Sequence, residues 1–166
     1  MKLVFGYECF ADRDVLRFLR QATGRQVKDF HGFGQGDVLN ALLVKRTITL
    51  GMVDEDPRST HHRLRDSMTV VRATKDFELR ESQGRYLAIL KPELEEAFVN
   101  ASKLLGVETR LPKEPSSMRR VLLPPGSASH KVFVQALVDL HAEAKARRQT
   151  IFLTELIAMI EKVPST

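Results

Sequence analysis

The feature that most constrains this chain is an abrupt change of character within Thr47–Ser59, TITLGMVDEDPRS. A β-branched and apolar run, Thr47–Val53, stops at Asp54-Glu55-Asp56-Pro57. A short apolar run bounded by turn residues predicts a buried strand. Pro57 disfavours helix at the residue before it and has no N–H for a sheet ladder, so the strand should end there. Asp54 and Asp56 then sit at the strand's C-terminal mouth, where open α/β sheets place their ligands. Continued alternation turns both side chains the same way. Two carboxylates that close repel by roughly 4 kcal/mol at an effective dielectric near 20. A divalent cation removes that penalty, and hard oxygen ligands suit Mg²⁺ or Mn²⁺. D-x-D is also common in plain acidic turns, so the pair needs company before it marks a site.

The N-terminal segment supplies that company. Lys2–Tyr7 reads as a first strand, with Glu8 directly after it. Asp12 is placed to cap a helix through Thr23, whose apolar face is Val15, Leu16, Phe18 and Leu19. Gly24 is a suitable stop. Gln26–Phe30 reads as a short second strand and His31–Gly36 as a glycine-punctuated loop, with Asp37 placed to cap a helix over Val38–Val44. This βαβαβ order predicts a parallel sheet with right-handed crossovers. In such a sheet the strand ends share one edge, so Glu8 and Asp12 converge with Asp54 and Asp56. The glycine loop has neither the G-x-G-x-x-G nor the G-K-[ST] pattern, which excludes a dinucleotide fingerprint and a P-loop.

Beyond Pro57 lies a basic loop with Arg58, His61, His62, Arg63 and Arg65. Strands are expected over Met68–Arg72, Phe77–Arg80 and Arg85–Leu90, the last two joined by a Gln83-Gly84 hairpin. Pro92 suits the first position of a helix through Leu105, with Glu93, Glu95 and Glu96 in its early turns. Glu108–Gly126 holds four of the seven prolines together with Arg119 and Arg120, and reads as a long surface loop. Helices over Lys131–Arg147 and Ile151–Val163 close the chain, their apolar residues recurring at helical spacing. At 166 residues the expectation is a single α/β domain over 1–166, with a core over about 1–105, a loose loop over about 106–129 and C-terminal helices over about 130–163.

Tyr7-Glu8-Cys9-Phe10-Ala11-Asp12, the Gly32/Gly34 loop and Met52-Val53-Asp54-Glu55-Asp56-Pro57 together resemble the topoisomerase–primase (TOPRIM) domain. The resemblance covers about Lys2–Pro57 well and the remainder loosely. It implies a Rossmann-like, mostly parallel central sheet flanked by helices, with the helical C-terminal part appended. It also implies Mg²⁺ (or Mn²⁺) held by the glutamate after the first strand and by the D-x-D: Glu8, Asp54 and Asp56, with Asp12 as a further ligand or a support. Cys9 stands where many members carry glycine. Arg58-Ser59 stands where topoisomerases and primases often carry glycine and glutamate, so the pattern is more similar to the small stand-alone members and to the overcoming-lysogenization-defect nucleases. In that group downstream acids complete a second metal site, a part that Glu93 or Glu95 would take here, although glutamates early in a helix more often serve its dipole. The activity that this resemblance implies is metal-dependent phosphodiester hydrolysis. Such a nuclease would attack with water, since neither Tyr7 nor Tyr86 is placed as a nucleophile.

The net charge of +5 suits a polyanionic partner. Arg58, His61, His62, Arg63, Arg65, Arg119 and Arg120 are the candidate nucleic-acid contacts, DNA and RNA being equally open. A binding or regulatory module for nucleic acid, nucleotide or a protein partner, as in a multi-component defence system, is the alternative. One cysteine, Cys9, gives no internal disulfide and leaves no zinc ligand set. With no apolar run of membrane-spanning length and no secretory layout at the N-terminus, the expected location is cytoplasmic, away from membranes.

Overall fold

The computed structural model describes residues 3–164, so the expected strand start at Lys2 lies outside them. The first half runs β1 (Val4–Tyr7), α1 (Phe10–Thr23), β2 (Lys28–His31), α2 (Gln35–Leu39) and β3 (Leu50–Asp54), in the expected alternation. After β3 come α3 (His62–Asp66), β4 (Thr69–Ala73), β5 (Phe77–Ser82), β6 (Arg85–Leu90), α4 (Leu94–Leu105), α5 (Pro115–Leu122), α6 (Ala128–Ala146) and α7 (Phe152–Lys162). The strands form one sheet in the order β2-β1-β3-β6-β5-β4. β2, β1, β3 and β6 run parallel, and β5 and β4 add to the β6 edge antiparallel. The result is an α/β fold with a mostly parallel sheet, helices on both faces and a helical C-terminal part.

The chain leaves β1 in one direction to reach β2, then crosses back past β1 to reach β3. Right-handed crossovers in opposite directions must lie on opposite faces of the sheet. Accordingly, Val15, Leu16, Phe18 and Leu19 of α1 join a core with Phe5, Met52 and residues of α4 to α7. Val38 and Leu39 of α2 instead join Ile48, Val53, Leu87 and Ile89 beneath the other face. The reversal falls between β1 and β3, so their C-terminal ends flank the crevice where such sheets hold ligands.

Several local expectations change. α1 begins at Phe10 with Cys9 as its N-cap residue, so Asp12 sits inside the first turn and reaches back to the Glu8 and Cys9 N–H groups, 3.1 and 3.0 Å away. Asp37 likewise does not begin its helix: Gly34 does, and Asp37 accepts the Phe33 N–H from within the first turn. That helix widens into a π turn over Asn40–Val44 before the chain enters β3. The basic loop winds into α3 from His62. Pro92 lies outside α4, which Glu93 begins. The expected long loop contains α5, with Pro115 in its first turn and Met118 and Leu122 buried; its apolar face packs beside α4. A buried hydrogen bond between His130 of α6 and Asp14 of α1 ties the helical layer together, with the other ring nitrogen of His130 2.9 Å from the Pro124 carbonyl. The hairpin turns at Gln83-Gly84, both at positive φ, as a two-residue turn between twisted strands requires.

Gly6 and Gly51 face each other in the β1–β3 register. A Cβ at Gly51 would lie 2.9 Å from Val38 Cγ1 and 3.3 Å from Leu87 Cδ1, so the absent side chain is what lets α2 close onto the sheet. Val38 is β-branched and stiff, which leaves it little room to yield. Gly51→Ala should therefore cost about 1–3 kcal/mol by overpacking, read as a lower urea midpoint at unchanged slope. An unchanged midpoint would mean that α2 is free to move away.

Candidate functional site

The β1 and β3 ends deliver the expected acids to one edge. Glu8 follows β1, and its carbonyl oxygen is 2.9 Å from His31 Nε2 at the end of β2. Asp12 is only 2 % exposed. Its Oδ2 accepts the two backbone N–H groups at the start of α1, while its Oδ1 is buried without a hydrogen-bond partner, as is Glu8 Oε1. Asp54 closes β3, and its Oδ1 accepts the Leu94 N–H at 3.0 Å, so the acid anchors the start of α4. The same helix turn brings in Glu95, which is 4 % exposed and accepts its own backbone N–H. Asp56 departs from the expected pairing with Asp54. The strand ends at Asp54, and Asp56 lies exposed in the following turn, its carboxylate accepting the Arg58 N–H at 2.8 Å.

These acids act on one another. Burial, followed by the charges of Asp12 and Asp56, pushes Glu8 up to about 7. Burial raises Asp12 to about 6 against the N–H groups of Cys9 and Glu8, which favour its charged form. Asp54 rises furthest, to about 8, through burial and then the charges of Asp12, Glu95 and Glu8. Glu95 is raised too, again mainly by burial, with Asp12 adding to it. Packing several carboxyl groups into a half-dry crevice disfavours the charged form of each. Such a set holds protons at neutral pH or accepts a cation in their place.

The donor set suits a hard divalent ion: oxygens only, two of them buried without a partner. Glu8, Asp12 and Asp54 are the residues able to hold one, with Glu95 behind them. Among the described residues no three acidic, histidine or cysteine side chains already converge as a finished cage. The two acids expected at a second ion are instead engaged by a cation of the chain itself. Arg119 of α5 pairs with Glu93 and lies 4.0 Å from Glu95. A cavity of about 210 Å³ lies between Asp54, Glu95, Arg119 and the apolar side chains of Phe10, Leu122 and Leu123. Arg119 thus belongs to the site's rim, with Arg120 exposed beside it in sequence. That pairing was hidden from the sequence, because it depends on α5 folding where a loop was expected.

The basic segment follows directly from Asp56. The His61 ring sits over Gly36, 2.5 Å from where a Cβ would stand, which joins this segment to the glycine loop. His62 is half-buried at the start of α3, and Arg58 and Arg63 are exposed. Arg65 is drawn away: its Nε lies 3.4 Å from Asp66, and its carbonyl accepts from Arg80. No helix among the described residues is long and apolar enough to cross a membrane. Comparison of the chain with protein-family models, with curated proteins and with solved structures gives no match.

The raised carboxyl values fix a sign. The folded state keeps protons that the unfolded chain releases near pH 4, so their contribution to stability is full below that point. It is lost as pH rises through about 6 to 8. With EDTA present, the urea midpoint should fall between pH 5 and pH 8.5, and Asp54→Asn should flatten the fall. A wild-type profile that is flat over this range would contradict the clustering of charge.

Proposed function

We propose that this chain is a TOPRIM-like, Mg²⁺-dependent protein that hydrolyses nucleic-acid phosphodiesters, a nuclease. The observation that supports the reading is that Glu8, Asp12 and Asp54 lie at the β1–β3 reversal within reach of one another's charge, with buried oxygens of Glu8 and Asp12 left without partners. A glutamate after the first strand and an aspartate ending a later parallel strand are the arrangement that the TOPRIM resemblance implies. When bound, Mg²⁺ would polarise the phosphodiester and orient a water for attack. The chain's own part is to bring the acids together, deprotonated, and to keep the crevice half-dry. Asp54 has a second task, since its hydrogen bond to the Leu94 N–H places α4 and with it Glu95. Asp56, exposed in the turn, acts on Glu8 through its charge. Arg58, His61, His62 and Arg63 border the site as phosphate contacts, with salt-sensitive and sequence-independent affinity. Arg119, neutralising Glu93 and Glu95, favours one ion over two.

A non-catalytic module for nucleic acid or a protein partner is the second reading. It is favoured by the backbone N–H groups already bound to Asp12 and Asp54, which make both acids structural as they stand.

Cleavage separates the two. A labelled DNA or RNA substrate should be cut with Mg²⁺ or Mn²⁺ and left intact with EDTA. Asp54→Asn should abolish cutting while changing low-salt substrate affinity by less than about twofold, because the basic residues dominate that affinity. Cutting that survives Asp54→Asn, or no cutting on a broad substrate panel with metal bound, would end the nuclease reading.

A further inference from the structure

The strand ends that carry the acids also carry a row of rings, of which Phe10 alone lines the cavity beside Asp54. Tyr7, buried at the end of β1, stacks on His31 with centroids 5.2 Å apart and planes 18° apart. His31 is exposed and lies 5.8 Å from Phe10 and 6.2 Å from Phe33. Phe10 is 39 % exposed and Phe33 96 %. Single exposed apolar side chains are common. Here three neighbouring rings stand open in one row, with a fourth supporting them from below.

The row is also held in place. Phe33 lies between Gly32 and Gly34, yet its N–H is bound by Asp37, and the Gly32 N–H is bound by the Tyr7 carbonyl at 2.9 Å. The contact between His31 and the Glu8 carbonyl sets the row directly beside the acids. Arg13, exposed one turn after Phe10 on α1, supplies a cation on the same side.

We propose that Phe10, His31 and Phe33 form a stacking platform for an unpaired base of a single-stranded nucleic acid. The platform rests on the phosphodiester reading of the neighbouring acids and narrows its substrate class. Every base has a π-face, so such a platform is tolerant of sequence, and a neighbouring cation suits the flanking phosphate. Bases in a duplex already use both faces and must be extruded before they can stack elsewhere. Single strands therefore satisfy this surface directly.

The test is fluorescence anisotropy in EDTA at low salt, so that neither metal nor turnover enters. The probes are oligothymidylate and oligouridylate of about 12 nucleotides, an abasic oligomer of equal length and a duplex of equal length. At least one base-bearing single strand should bind about tenfold or more tighter than the abasic oligomer and the duplex. Phe33→Ala should weaken that binding about 5- to 150-fold, the worth of one stacked base, and leave abasic affinity unchanged. Phe33→Tyr should retain it. Because Phe33 is almost fully exposed, an unchanged thermal midpoint should accompany both variants. Equal affinity for base-bearing and abasic strands, or an Ala variant that loses nothing or loses both alike, would overturn the platform. Competition by thymidine monophosphate at the oligomer's own affinity would overturn the single-strand assignment. A protein that passes this test yet cuts nothing would fail only the nuclease reading, and one that cuts but fails here would lose only the platform.

Discussion

The structure is organised around a repulsion. Glu8, Asp12, Asp54 and Glu95 are brought within reach of one another's charge in a crevice that is partly closed to water. Left ionised together they would push the sheet edge apart. The chain manages them in three ways. Backbone N–H groups at the starts of α1 and α4 bind Asp12 and Asp54, and helix N-termini are where anionic charge is best tolerated. Arg119 pairs with Glu93 and stands 4.0 Å from Glu95. The remaining strain is relieved by holding protons, or by a cation.

That grouping depends on how the sheet is wound. The reversal between β1 and β3 leaves the two strand ends uncovered by a crossover, and it sends α1 and α2 to opposite faces. Gly6 and Gly51, side by side across the reversal, let α2 approach the strands closely. The glycine loop carries the His61 ring packed on Gly36, and the β1–β2 pairing sets His31 opposite Tyr7 at the same edge. The helical layer of α5, α6 and α7 contributes from the other side, where Arg119 reaches the acids only because Met118 and Leu122 anchor α5.

Much of this was legible in local pattern. The β-branched runs, the glycine stops and the strand-helix alternation follow from steric and hydrophobic periodicity, and they locate β1, α1, β3 and β6 to within a few residues. That Glu8 and Asp54 lie at one edge of the sheet follows from parallel topology. What local pattern concealed was reciprocity between distant elements. Asp12 and Asp37 look like residues that begin helices, yet each sits inside a first turn and reaches backward. The prolines of the 108–126 segment suggest a loop, yet Pro115 occupies a position where its missing N–H costs nothing, and the helix behind it forms on buried Met118 and Leu122. Asp56 failed to follow Asp54 because the strand stops at Asp54, where the pleat that would have aligned them ends.

The proposed function requires that the acidic crevice take up a divalent ion and not merely protons. Its most direct test is anomalous diffraction from crystals soaked in Mn²⁺ above the Asp54 value of about 8, where the acids are free to ionise. A peak is expected within coordination distance of Glu8, Asp12 and Asp54, with Asp12 Oδ1 and Glu8 Oε1 gaining the partner they lack. No peak there, or a peak only at surface carboxylates elsewhere, would contradict the claim.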